Sequence, residues 1–216
     1  MLHKHQSHNT MTYPTDFYDA AQQLIAAGRF IDSKAWVPAT SGNFSLRLAD
    51  GTIAITVSGK HKGRLQTSDI MLIDAEGRSL DGKKPSAETL LHTSLYQHFP
   101  DIHAVLHPHP LNSVLISKCY QQRCILENYE LLKAFPGIQT HESQLIVPIF
   151  ANDQNIARLA NLVNSYLASV EVCHGYIIEG HGLYAWGQTL NDALRHLEAF
   201  DFLFACELQL KGMKPL

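Results

Sequence analysis

NFSLRLADGTIAITVSGKHKGRLQTSDIMLID, residues 43–74, sets three short apolar runs one after another. NFSLRL, TIAITV and IMLID each have the length of a strand, and the pieces between them, ADG and SGKHKGRLQTSD, carry turn residues and no helical period. Parallel neighbours are normally joined by a helical crossover, and no helix fits here. The stretch therefore predicts antiparallel pairing at the start of a sheet.

Outward from it, helices and strands alternate. TDFYDAAQQLIAAGRF puts Phe17, Ala20, Ala21, Leu24 and Ile25 on one helical face, with Thr15 as N-cap. Downstream, Ser86 can cap a helix through AETLLHTSLYQHF. IHAVLH reads as a strand, PLNSVLIS as a helix begun by proline, ENYELLKAF as a short helix and QLIVPIF as a strand. NDQNIARLANLVNSYLAS is a helix, HGYIIEGHGLYAWG two strands around the turn EGHG, and TLNDALRHLEAFDFLFACELQLK the longest helix. The expected fold is α/β, with three layers, α/β/α, around a mostly antiparallel central sheet. Residues 15–216 are expected to form one domain, preceded by a mobile polar tail over 1–14 whose His3, His5 and His8 are frayed leader rather than site.

At 216 residues, with no linker or composition shift, one core is the default. A net charge of -3 argues against neutralising a phosphate backbone, so no nucleic acid is expected as partner. No apolar stretch reaches membrane-spanning length. Cys119, Cys124, Cys173 and Cys206 form no C-x-x-C, and the start lacks a charged-then-apolar leader. Reduced thiols and a cytoplasmic location follow as expectations. The substrate is expected to be small.

AVLHPHP carries two imidazoles two residues apart. Side chains at i and i+2 of a strand share a face, so His107 and His109 could chelate one ion, and Pro108 and Pro110 suit a strand end opening into a cavity. For H-x-H alone, a hydrogen-bonded pair in a partly buried strand end is an equal reading. EGHGL offers His181 between Gly180 and Gly182, where positive φ and close approach are both open. Three neutral imidazoles with a vacant position describe a catalytic zinc better than a structural one. His92, His98, His141 and His174 read as packed or solvent-facing.

A second constellation prefers anions. TSGNFS offers Ser41, Gly42 and Asn43; VSGKHKGR offers Ser58 and Gly59 with Lys60, Lys62 and Arg64 following; Ser86 stands at a helix start. Glycine turns, helix N-termini and hydroxyls make a phosphate cradle. Neither nucleotide fingerprint is present.

Taken together, SGNFSLR, ITVSGKHKG, KPSAETLLH, HAVLHPHP and EGHGLYAWG resemble, in order and spacing, the class II aldolase family, from the first helix onward. Within it LENYELLKAF and HGLYAWG are similar to the dehydratase branch, which removes water from a methylthio-substituted ketose 1-phosphate in methionine salvage. The resemblance implies one zinc ion per subunit on His107, His109 and His181, and a substrate phosphate surrounded by Ser41, Gly42, Asn43, Ser58, Gly59 and Ser86. It implies Glu130 as acid/base. Glu88 stands where the aldolases keep their acid/base carboxylate and is a second catalytic candidate or a resting-state ligand. A homotetramer with sites near its interfaces is the implied assembly, and the apolar girth of the last helix fits deep burial or a subunit contact. Phe44, Tyr129, Tyr184 and Trp186 lie near the motifs but read as core rather than as a pocket for the methylthio tail. Two other activities stay open: a sugar-phosphate aldolase or epimerase, for which the C-terminal ELQLKGMKPL lacks a tyrosine, and an adducin-type interaction domain, which would not need the three histidines.

Overall fold

A computed structural model describes residues 12–212. Eight strands, β1 (Asn43–Arg47), β2 (Ile53–Thr56), β3 (Ile70–Ile73), β4 (Ala104–His107), β5 (Arg123–Glu127), β6 (Gln144–Phe150), β7 (Gly175–Ile178) and β8 (Gly182–Gly187), form one sheet in the order β3-β2-β1-β4-β8-β7-β6-β5. Only β6 and β7 run parallel. The three strands of residues 43–74 pair antiparallel as their short connections require, with Ser45 opposite Ile55 and Ile55 opposite Met71.

Alternation along the strands divides the interior in two. Phe44, Leu46, Ala104, Leu106 and Ala185 pack toward α1 (Phe17–Ser33), α3 (Leu111–Cys119) and α5 (Leu190–Gly212). Ile53, Ile55, Val105, Tyr176 and Tyr184 face α2 (Thr89–His98) and α4 (Ile156–Ser169). Helices thus cover both faces, and Phe44, Tyr184 and Trp186 are buried in the core. The α5 start is set by a reciprocal cap, in which the Thr189 N–H donates to the Asp192 carboxylate and the Asp192 N–H to the Thr189 hydroxyl.

Local expectations are corrected at four places. The α1 cap position is Asp16, not Thr15, and its carboxylate accepts from Ala49 N–H at 2.9 Å instead of from the helix, tying α1 to the β1–β2 turn. Ser86 does not open α2; the helix begins at Thr89, and the Ser86 hydroxyl accepts from Glu88 N–H in the turn before it. ENYELLKAF shortens to a 3₁₀ turn over Glu130–Ala134. Strand β5 was absent from the pattern expected above, although Arg123, Cys124, Ile125, Leu126 and Glu127 alternate in burial as an edge strand should.

The mobile tail was placed over residues 1–14, and its residues 1–11, with His3, His5 and His8, lie outside the described residues. Tyr13, within that range, stacks on Phe17 with ring centroids 4.1 Å apart and donates to Asp81. No helix among the described residues is long and apolar enough to cross a membrane.

Candidate metal centre

β4 delivers His107 from its last position, and His109 follows two residues on, its ring against that of His107. The β7–β8 turn brings His181 to meet them. Gly180 takes a positive φ of 62°, and Gly182 supplies space: a Cβ there would stand 2.5 Å from the Pro108 carbonyl oxygen and 2.6 Å from His109 Cδ2. Any other residue at 182 would push the turn off the histidines.

The three imidazoles converge. His107 Nε2 lies 3.1 Å from His109 Nε2 and 3.4 Å from His181 Nε2, and one ligand atom of each falls within 4.8 Å of the others. His107 Nδ1–H donates to the Leu183 carbonyl at 3.0 Å, which places the lone pair on Nε2, toward the cluster. Its ring stacks on Tyr184 at 4.0 Å. Burial pushes His107 down to about 4 and, with its imidazole neighbours, His109 to about 3, so both are neutral at physiological pH. Neutral imidazole is the form that binds metal.

Glu88, from the turn before α2, sets its carboxylate 3.0 Å from His181 Nε2 and 3.5 Å from His107 Nε2. Burial raises its pKa, but His107, His181 and the Asn43 amide outweigh this and hold it well below the usual carboxylate range. Three imidazole nitrogens and one carboxylate oxygen make a donor set that fits a divalent transition metal. Behind Glu88 runs a buried chain of hydrogen bonds. Asn43 Nδ2 donates to Glu88 at 2.6 Å, Asn43 Oδ1 accepts from His92 Nε2–H, and His92 Nδ1 accepts from Ser45 Oγ–H at 2.7 Å. Tyr96 closes it by donating to the Ser45 carbonyl. Read as a packed histidine above, His92 also fixes which end of the Asn43 amide faces Glu88. Its position four residues after Glu88, within the helix expected through AETLLHTSLYQHF, was the available signal.

The remaining expected residues are spread over four segments. Ser41, whose hydroxyl is enclosed without a partner among the described residues, Gly42 and Asn43 form the approach to β1, while Ser58 and Gly59 are exposed on the turn after β2 and Ser86 is half-buried before Glu88. Glu130 stands elsewhere. Its side chain is 72% exposed, accepts from Lys133 at 2.5 Å and faces His141 at 3.9 Å. It lines a groove of about 1020 Å³ with Trp36, Tyr129, Leu131 and Phe202, a groove that includes none of the three histidines. Of the other histidines, His98 stacks edge-on against Phe99, His141 is exposed and His174 is buried.

Residues 22–210 match the family described as class II aldolase and adducin N-terminal domain. A methylthioribulose-1-phosphate dehydratase of Methylococcus capsulatus is 58% identical over 202 residues, 94% of this chain and 99% of that protein. One of Pseudomonas paraeruginosa is 54% identical over 89% of this chain and 95% of its own length. Among solved structures, YgbL of Escherichia coli superposes with a TM-score of 0.79 at 23% identity, covering 93% of each chain. An L-fuculose-1-phosphate aldolase of Thermus thermophilus gives 0.70 at 24% identity, covering 92% of this chain and 98% of that one, which shows a shared fold. With relatives this similar along nearly its whole length, the chain belongs to the class II aldolase and adducin N-terminal domain family, among its methylthioribulose-1-phosphate dehydratases.

Proposed function

We propose that this protein is a zinc-dependent hydro-lyase of methionine salvage that converts 5-methylthioribulose 1-phosphate to 5-methylthio-2,3-dioxopentyl 1-phosphate. The observation that carries the chemistry is the convergence of His107, His109 and His181 beside an ionised Glu88. The substrate rests on the relatives, which bear that enzyme's name at 54–58% identity. A zinc ion held by the three histidines would supply Lewis acidity worth several kcal/mol at a ketose carbonyl.

The reaction needs one group to take the C3 proton and a group to protonate the C4 hydroxyl as it leaves as water; the resulting enol then becomes the second ketone. Glu130 is assigned both roles, base first and then acid. In its own chain it is paired with Lys133 and lines a groove without the three histidines, so it would serve the site of a neighbouring subunit in a homotetramer. Glu88, held by Asn43, His107 and His181, would orient or complete the metal's ligand set, and Ser41, Gly42, Asn43, Ser58, Gly59 and Ser86 would receive the phosphate. A second reading, a sugar-phosphate aldolase, draws on Glu88, which sits on the triad at the aldolase position.

Product masses separate the two. Incubated with methylthioribulose 1-phosphate, the zinc-loaded protein should yield a product 18 mass units lighter, the mass of one water, and a chelator should stop it. Two fragments whose masses sum to the substrate's would make it an aldolase.

A further inference from the structure

Lys62 is the one lysine in an unexpected environment. It sits in a 3₁₀ turn between β2 and β3, 1% exposed, in a chain whose other described lysines reach solvent. Its ammonium donates to the Thr40 carbonyl at 3.1 Å and to the Lys60 carbonyl at 2.6 Å. Those carbonyls belong to two separate loops, the one leading into Ser41, Gly42 and Asn43 and the one that follows Ser58 and Gly59. α1 closes over the turn so tightly that a Cβ on Gly28 would stand 2.2 Å from the Lys62 carbonyl oxygen. The residue is therefore clamped by a helix behind and by two loops in front.

Fastening two loops does not require a charge. A buried ammonium costs several kcal/mol unless an anion faces it, and a neutral donor could make the same two hydrogen bonds without that cost. Among the described residues no carboxylate pairs with Lys62; Glu88 reaches it only through space. Burial lowers it to about 8, partly offset by Glu88, so the free protein still carries the charge at neutral pH. Neighbouring Lys60 is already neutralised by Asp69 at 2.9 Å. A divalent ion on the triad, Lys62 and Glu88 together leave two positive charges, the complement of a phosphate monoester dianion.

We propose that Lys62 is the buried cation of the phosphate subsite, a positioning residue that draws the Thr40–Asn43 and Ser58–Lys60 loops together and holds a fixed positive charge behind the anion they receive. This rests on the reading of those loops as the phosphate site. The missing counter-ion of Lys62 is then the substrate itself.

Replacing Lys62 by methionine keeps the stem and removes the charge. The Lys62→Met protein should keep its metal content, bind inorganic phosphate about tenfold or more weakly by calorimetry and raise KM for the phosphorylated ketose by a similar factor, with kcat much less affected. The wild-type preference for the phosphorylated over the dephosphorylated ketose should shrink with it, which a merely structural lysine would not produce. Unchanged phosphate affinity and KM would overturn the proposal. A wild-type protein that neither binds phosphate nor distinguishes the two ketoses would instead defeat the phosphate reading itself. Should the variant not fold, the Lys62 side-chain NMR signal in the wild type, assigned with Lys62→Arg, gives the same answer: it should move on addition of inorganic phosphate, and a still signal overturns the assignment.

Discussion

His92 illustrates how one side chain can act through another. An asparagine amide is nearly symmetric in shape, and what decides that Asn43 presents Nδ2 rather than Oδ1 to Glu88 is the proton on His92 Nε2. Burial pushes His92 down to about 3, so it is neutral and carries a single ring proton, which Ser45 directs to Nε2 by donating to Nδ1. Replacing His92 by leucine leaves Asn43 Oδ1 unpaired in the interior. A stability loss of roughly 1–3 kcal/mol is expected in urea titrations. Metal affinity should fall about tenfold or more, as loss of an outer hydrogen-bond partner commonly does. Unaltered metal affinity despite the lost stability would confine His92 to packing. None of this was visible from residue type: His92 and Lys62 were read as one packed histidine among several and one turn cation among three. Burial, which the sequence does not print, is what separates them from His98 and from Lys60 and Arg64.

At the scale of elements, the strands and helices were legible wherever a period ran long enough. α1 and α4 have clean apolar faces, and β1 to β3 are joined too closely for anything but antiparallel pairing. The failures were at edges. β5 has only five residues with charged ends, and Thr15 and Ser86 are residue types that cap helices but lie two and three positions before the helices begin. The histidine pair was legible because i, i+2 geometry and a glycine-flanked turn are local facts, while its meeting with His181, where β4 comes beside the β7–β8 turn, is a fact of sheet order.

Elements also set a pH dependence. His174 precedes β7 and His196 lies on α5, with Phe135 against both rings. Desolvation brings His174 to about 4 and also lowers His196. A folded state that resists protonation loses stability as pH falls from the unfolded value near 6.5 toward 4, because the unfolded chain then binds more protons. His174 alone accounts for up to ~3 kcal/mol across that window. Thermal melts of the wild type should fall steeply there, and His174→Leu should flatten the descent. Parallel descents would mean that His174 accepts its proton without unfolding.

The whole molecule raises the question of why Glu130, the assigned acid/base, lines a groove that includes none of the three histidines. Its turn is not loose: Tyr129 donates to Glu207 at 2.8 Å, Tyr120 to the same carboxylate at 3.0 Å, and Arg195 to the Ala134 carbonyl at 3.1 Å, so α5 holds it from beneath. The groove beside it exposes apolar surface, Phe202 at 58% among it, of the kind that subunit contacts cover. A firmly held carboxylate facing outward across apolar surface suits a residue lent to a neighbour. Subunit mixing tests this directly. Glu130→Gln and His107→Ala proteins should each be nearly inactive, the first with its metal and the second without. Unfolded together in equal amounts and refolded, they should regain about a quarter of wild-type activity, since half the triads are intact and half of those meet an intact Glu130 from the neighbour. If Glu130 served its own chain, no mixture of the two could assemble a complete site, and the refolded protein would stay as inactive as its parts.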